Sequence, residues 1–195
     1  MNIILASTSS YRRQLLERLQ IPFTCIPPHT DETALPDEAP EALARRLATE
    51  KAEAVAMSGS LVSPDAIVIG SDQVAALGDT QLHKPGTHER AVQQLRSCSG
   101  QRVDFFTGVC ITRAEPRFHE TCVIPTHVQF LDLTDQQIEA YLHKDQPYDC
   151  AGSFKVESLG ITLFESLSGT DPTALEGLPL IAVSAILGRA GVQIL

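Results

Sequence analysis

Asp72 stands directly after the apolar run Ala66-Ile67-Val68-Ile69 and the pair Gly70-Ser71. Such a run, rich in β-branched residues, predicts a strand buried on both faces, which Gly70 and Ser71 would end, leaving Asp72 just past its edge. A carboxylate on a half-desolvated edge is costly unless a cation or hydrogen-bond donors meet it; the plain alternative is an Asp that caps a turn. Lys51 is a candidate cation. It falls on one helical stripe with Leu43, Leu47 and Ala54, so its ammonium either snorkels outward or reaches a buried anionic site. Near the start of the chain, Ser7-Thr8-Ser9-Ser10 precedes Tyr11-Arg12-Arg13. A strand, a hydroxyl-rich turn and a helix start with two arginines make a phosphate cradle: backbone N–H groups and the positive dipole end point at the turn, and Arg adds bidentate donors. Arginine at a helix start opposes the dipole, which favours that reading over a solvated pair. The glycines and G-K-[ST] of a Walker loop are missing. The loop acids Asp31 and Glu32 are, on local grounds, ordinary solvated carboxylates.

The elements that must position these residues follow from the pattern. Asn2 to Ala6 reads as a short strand, Tyr11 to Leu19 as a helix, Phe23 to Ile26 as a second strand, and Pro40 to Met57 as a long helix. Gly78-Asp79 suggests a hairpin after the central strand, and Lys84-Pro85-Gly86 begins a loop. Thr87 caps a helix from His88 to Ser97. Two long strands follow, Val103 to Thr112 and Cys122 to Leu133, expected to pair antiparallel. Thr134 with Gln137 forms a capping box for Asp135 to His143. A loop through Cys150-Ala151-Gly152-Ser153-Phe154-Lys155 leads to a strand at Ile161 to Phe164, and Pro179 starts a last helix.

The chain has 195 residues and is 43% hydrophobic, enough to bury roughly 70% of its unfolded surface in one domain spanning residues 1–195. A net charge of −9 disfavours nucleic acid and anionic membranes as partners. An anionic small molecule fits instead, at a local cationic site helped by a divalent metal. No apolar run reaches the ~20 residues of a membrane span, and Met1-Asn2-Ile3-Ile4-Leu5 shows neither a basic leader nor a cleavage-like end, so a soluble protein made in place is expected. Five scattered cysteines without a C-x-x-C pair read as free thiols of a reducing cytoplasm, and six histidines without ligand spacing read as surface residues.

Taken in order, Leu5-Ala6-Ser7-Thr8-Ser9 with Arg12, Asp31-Glu32-Thr33, Arg46-Leu47-Ala48 with Lys51-Ala52, Gly70-Ser71-Asp72-Gln73-Val74, Lys84-Pro85, Ser99-Gly100, Thr107-Gly108 and Ala151-Gly152-Ser153-Phe154 resemble the Maf family of nucleoside triphosphate pyrophosphatases. No single match is specific, whereas the ordered set spans nearly the whole chain. The resemblance implies an α/β fold, Maf- or ITPase-like: a mixed twisted sheet with flanking helices and a deep nucleotide cleft. It also implies cleavage of a nucleoside triphosphate to monophosphate and diphosphate with Mg²⁺ or Mn²⁺. By carry-over, Asp72 matches the catalytic acid and, with Glu32, the metal surroundings, while Ser7, Arg12, Lys51 and Lys84 match the phosphate site.

Within the family, Ser71-Asp72-Gln73-Val74, the Arg pair after an aromatic, and Ala151 to Glu157 look like the branch acting on 7-methyl-GTP. That branch carries Trp where Tyr11 stands. The branch acting on dTTP and UTP instead has Asp-Thr at Asp72-Gln73 and Arg at Tyr11, so Tyr11, Gln73 and Glu157 are the candidate base selectors. A nucleotide-binding regulator of cell division without turnover, or a general phosphatase, remain alternatives. A homodimer is left open.

Overall fold

All four residues of strand β1 (Ile3–Ala6) are apolar and buried, as befits a strand inside a sheet. The computed structural model describes residues 2–59 and 62–195. β1 pairs in parallel with β2 (Thr24–Cys25) and β3 (Ile67–Leu77). β3 turns at Gly78, whose φ is 59°, into the antiparallel β4 (Thr80–Leu82). With β5 (Arg102–Arg113), β6 (Phe118–Phe130) and β7 (Phe164–Gly169), these strands form a seven-stranded mixed sheet in the order β2-β1-β3-β5-β6-β7, β4 lying off that path on β3.

The described residues form five α-helices, α1 (Ser10–Glu17), α2 (Pro40–Ala56), α3 (His88–Cys98), α4 (Asp135–Asp145) and α5 (Leu180–Arg189), three of them with local side-chain caps. Ser9 caps α1, Thr87 caps α3, and Thr134 with Gln137 closes the expected capping box on α4. α2 opens instead on Pro40, whose missing N–H costs nothing in a first turn. No helix among the described residues is long and apolar enough to cross a membrane.

The chain packs as two compact units. The first comprises Met1–Gln73, Thr107–Ile124 and Asp171–Leu195; the second comprises Val74–Phe106 and Pro125–Thr170. In the first unit the strand alternation sorts the core in two. Ile3, Leu5, Ile67 and Ile69 face the side covered by α1 and α5, and Ile4, Val68 and Cys110 face α2. In the second unit α3 packs on α4. Phe130, Phe154 and Phe164 meet edge to face there, with ring centroids 4.8 to 5.7 Å apart. Gly152, at φ 80°, presses on this cluster, since a Cβ there would lie 3.2 Å from the Phe154 ring. The small residues of this stretch thus let its backbone approach the chain's own aromatics.

Three departures from the expected boundaries stand out. Gly70 and Ser71 do not end β3, which runs on to Leu77, so Asp72 lies within a strand and caps no turn. A glycine with an ordinary strand φ was mistaken for a terminator. The segment expected as a strand at Ile161 to Phe164 is mostly a 3₁₀ turn, Leu159–Leu163, and β7 begins only at Phe164. β6 starts at Phe118, four residues before Cys122, because exposed strand ends carry polar residues that hydropathy reads as loop.

Candidate active site

Ala6, the last residue of β1, pairs with Gly70 of β3. β1 stops there while its parallel neighbour continues, so the turn into α1 and the Ser71-Asp72-Gln73 stretch share one end of the strand pair. In that turn the Ser9 N–H donates to Ser7 Oγ at 3.1 Å, and the Arg12 N–H donates to Ser9 Oγ at 3.3 Å. Ser7 is buried and Tyr11 half-buried.

Alternation then divides the site. Asp72 shares the face of Gly70, toward α2, where the Lys51 ammonium donates to Asp72 Oδ1 at 2.5 Å. Lys51 is 5% exposed and Asp72 7%, so the snorkelling alternative is excluded. The same Nζ lies 2.5 Å from Glu32 Oε1, on a side chain that is 61% exposed. Two carboxylates from a loop and a strand thus converge on one cation, buried on the Asp72 side and open on the Glu32 side.

The loop that carries Glu32 is tied to α2 by Arg46. The Arg46 guanidinium grips both oxygens of Glu38 at 2.7 Å and also donates from Nη2 to the Thr33 carbonyl at 3.1 Å, tying the acidic loop to α2. That grip holds the Glu38 carboxyl below its ordinary value, mainly through the hydrogen bonds from Arg46. Asp31 is likewise held low by the Thr33 hydroxyl and N–H. Sequence reading used Arg46 only as part of a motif and passed over Glu38.

On the other face, Ser71 Oγ donates to the carbonyls of Gly108 at 2.8 Å and Gly177 at 3.1 Å, and Arg12 Nε donates to the same Gly177 oxygen at 2.9 Å. Gln73 Nε2 donates to the carbonyls of Ala174 at 2.9 Å and Leu175 at 3.0 Å. The 174–177 turn is therefore a hub for three residues singled out in the sequence. Asp171 organises it: Oδ1 accepts from Thr173, and Oδ2 accepts from the N–H groups of Ile181 and Ala182 at the start of α5. Asp171 is buried, and sequence reasoning missed it; the available signal was Asp171-Pro172-Thr173 shortly before a Pro-started helix.

Lys84 and Glu157 belong to the second unit. Lys84 is exposed, between β4 and the buried Pro85, and Glu157 is exposed in the turn before Leu159. All five cysteines are free, and burial pushes the Cys98 thiol up to about 12 and raises Cys110, so neither is a poised nucleophile.

The donor chemistry at Glu32 and Asp72 fits a hard divalent ion. Both offer carboxylate oxygens, and both already converge on a positive charge. A buried ammonium–carboxylate pair, a second carboxylate open to solvent and the start of α1 lie at one end of a strand pair, an arrangement that suits binding of a metal-bound phosphoanhydride.

The model of the family described as Maf-like protein matches residues 2–190. A protein of Nitrosococcus oceani named 7-methyl-GTP pyrophosphatase is 53% identical over 99% of this chain and 95% of its own length. A protein of the same name from Xanthomonas axonopodis pv. citri is 53% identical over 98% of each. One from Polaromonas is 52% identical over 98% of this chain and 86% of its own. Among solved structures, the Ham1 protein of Staphylococcus aureus aligns with 68% of this chain and 73% of its own at 15% identity, with a TM-score of 0.48.

Proposed function

The chain belongs to the Maf family, and from that premise we propose that it hydrolyses 7-methyl-GTP to 7-methyl-GMP and diphosphate. The observation that carries this reading is the convergence of Asp72 and Glu32 on the Lys51 ammonium, two carboxylates placed to hold a divalent ion that would carry a polyanionic substrate. The relatives' shared name supports the choice of base.

In the reaction, water adds to the α-phosphorus as the bond to the bridging oxygen breaks. The water's proton passes to a carboxylate, and diphosphate leaves. With Oδ1 of Asp72 held by Lys51, Oδ2 orients the water and takes its proton. Glu32 and Asp72 would hold Mg²⁺ or Mn²⁺, which when bound offsets negative charge on the triphosphate. Ser7 and the N–H groups opening α1 cradle phosphate oxygens, and Arg12, Lys51 and Lys84 neutralise the leaving diphosphate. Arg12 is pre-oriented for this by its bond to Gly177.

Selection of the base is assigned to Tyr11, Gln73 and Glu157. Methylation at N7 leaves guanine positively charged, so the Tyr11 ring face favours it by about 0.5–2 kcal/mol, and the Glu157 carboxylate adds attraction and accepts from the guanine N–H edge. Gln73, its amide nitrogen engaged by Ala174 and Leu175, acts through that turn. We read the chain as one domain of the cytoplasm acting on a free nucleotide.

The decisive experiment is a panel of canonical and modified nucleoside triphosphates with Mg²⁺, scored for diphosphate and repeated after chelation. The proposal requires fastest diphosphate release from 7-methyl-GTP and loss on chelation. Preference for dTTP and UTP would move the chain to the other branch, and orthophosphate as product would make it a phosphatase.

A further inference from the structure

His88, Glu139 and His143 place three ligand atoms within 4.8 Å of one another, the one such group among the described residues. His88 opens α3, while Glu139 and His143 are one turn apart on α4 and so share a face. His88 Nε2 lies 2.8 Å from Glu139 Oε2, and His143 Nε2 lies 3.8 Å from that same oxygen. A hydrogen bond accounts for the first separation. The second is too long for one. Yet both imidazoles turn the same nitrogen toward a single carboxylate oxygen, with ring centroids 5.2 Å apart.

A shared ion would draw the three atoms into one coordination shell with shifts of about half an ångström. Around a tetrahedral Zn²⁺ with bonds near 2.0–2.1 Å, neighbouring donors stand about 3.3 Å apart, and the separations of 2.8 and 3.8 Å fall on either side of that value. A ligating imidazole is characteristically held through its other nitrogen. His88 Nδ1 has that support, lying 3.0 Å from the Tyr148 hydroxyl. Tyr148 is in turn fixed by its carbonyl, which accepts from the Gly86 N–H at 3.0 Å. The His143 side chain is 76% exposed, so an ion can enter from solvent and keep water as a further ligand.

We infer that His88 Nε2, Glu139 Oε2 and His143 Nε2 form a binding site for a borderline first-row divalent cation, with Zn²⁺ as the foremost candidate. Two imidazoles with one carboxylate suit such an ion and discriminate against Mg²⁺, which takes oxygen donors. The site uses none of the residues proposed for catalysis. A bound ion would pin the start of α3, and with it the Lys84-Pro85-Gly86 segment, to α4.

The test is calorimetric titration of the metal-stripped full chain with Zn²⁺ in a millimolar excess of Mg²⁺. One equivalent should bind saturably, and the imidazole NMR signals of His88 and His143 should shift together. His143→Gln and Glu139→Gln should each weaken binding at least about tenfold. Both side chains are substantially exposed, so the variants should melt like wild type without metal. Absence of saturable Zn²⁺ binding, or unchanged binding in the Glu139→Gln/His143→Gln double variant, as thiol ligation would give, overturns the assignment.

Discussion

A Cβ placed on Gly70 would lie 2.3 Å from the carbonyl oxygen of Ala48, far inside van der Waals contact. On the neighbouring strand, a Cβ on Gly108 would meet the Ala44 carbonyl at 2.2 Å. α2 therefore rests on the bare backbone of β3 and β5. This contact lets Lys51, just beyond Ala48, reach Asp72, two residues beyond Gly70. Gly70→Ala should force α2 outward, cost about 3 kcal/mol in urea denaturation and lower turnover with it. Wild-type stability and activity in that variant would show that something else sets the spacing.

Removing either partner of the buried ion pair should have different consequences. Lys51→Met leaves the Asp72 carboxylate desolvated without its cation and should destabilise the fold by about 3 kcal/mol. Asp72→Asn keeps the shape, and Lys51 retains Glu32. Its stability loss should be the smaller of the two, while diphosphate release should fall at least about 100-fold. Folded Asp72→Asn protein with near wild-type turnover would remove Asp72 from the reaction.

The Arg46–Glu38 clamp makes a pH-dependent contribution to stability. Because the hydrogen bonds from Arg46 depress the Glu38 carboxyl below its ordinary value of 4.5, the stabilisation is fully present above that value and is lost as pH falls through the depressed one. Glu38→Gln should accordingly lower stability at neutral pH and flatten its decline in acid. Denaturant melts from neutral to strongly acid pH check this, and parallel slopes for both proteins would contradict it.

Base selection can be separated from catalysis through ratios. Tyr11→Leu and Glu157→Gln should each reduce the kcat/KM ratio of 7-methyl-GTP to GTP, by roughly three- to tenfold for the aromatic face. Rates on GTP should change little. A ratio unmoved by both substitutions would mean that other groups read the methylated base.

The local devices of this fold were legible in the sequence because their causes are local. The caps at Ser9, Thr87 and Thr134 involve hydrogen bonds spanning three residues, and the stripe that buries Lys51 is set by helical periodicity. Gly70 was misread because a glycine that makes a turn and one that admits a helix look the same in sequence. The Ile161 to Phe164 segment was misplaced because a short apolar run fits a 3₁₀ turn as well as a strand. The histidines read as surface residues because the partners of His88 lie 51 or more positions away.

By itself the sequence determined which residues carry charge and hydroxyls, where helices begin, and which family motifs stand in what order. Only the tertiary structure decided that Lys51 neutralises Asp72 across 21 positions and that Arg12 is anchored by a carbonyl 165 positions away. Periodicity and capping are properties of neighbours on a chain, whereas charge pairing depends on distance in space, which close packing of helix on strand sets.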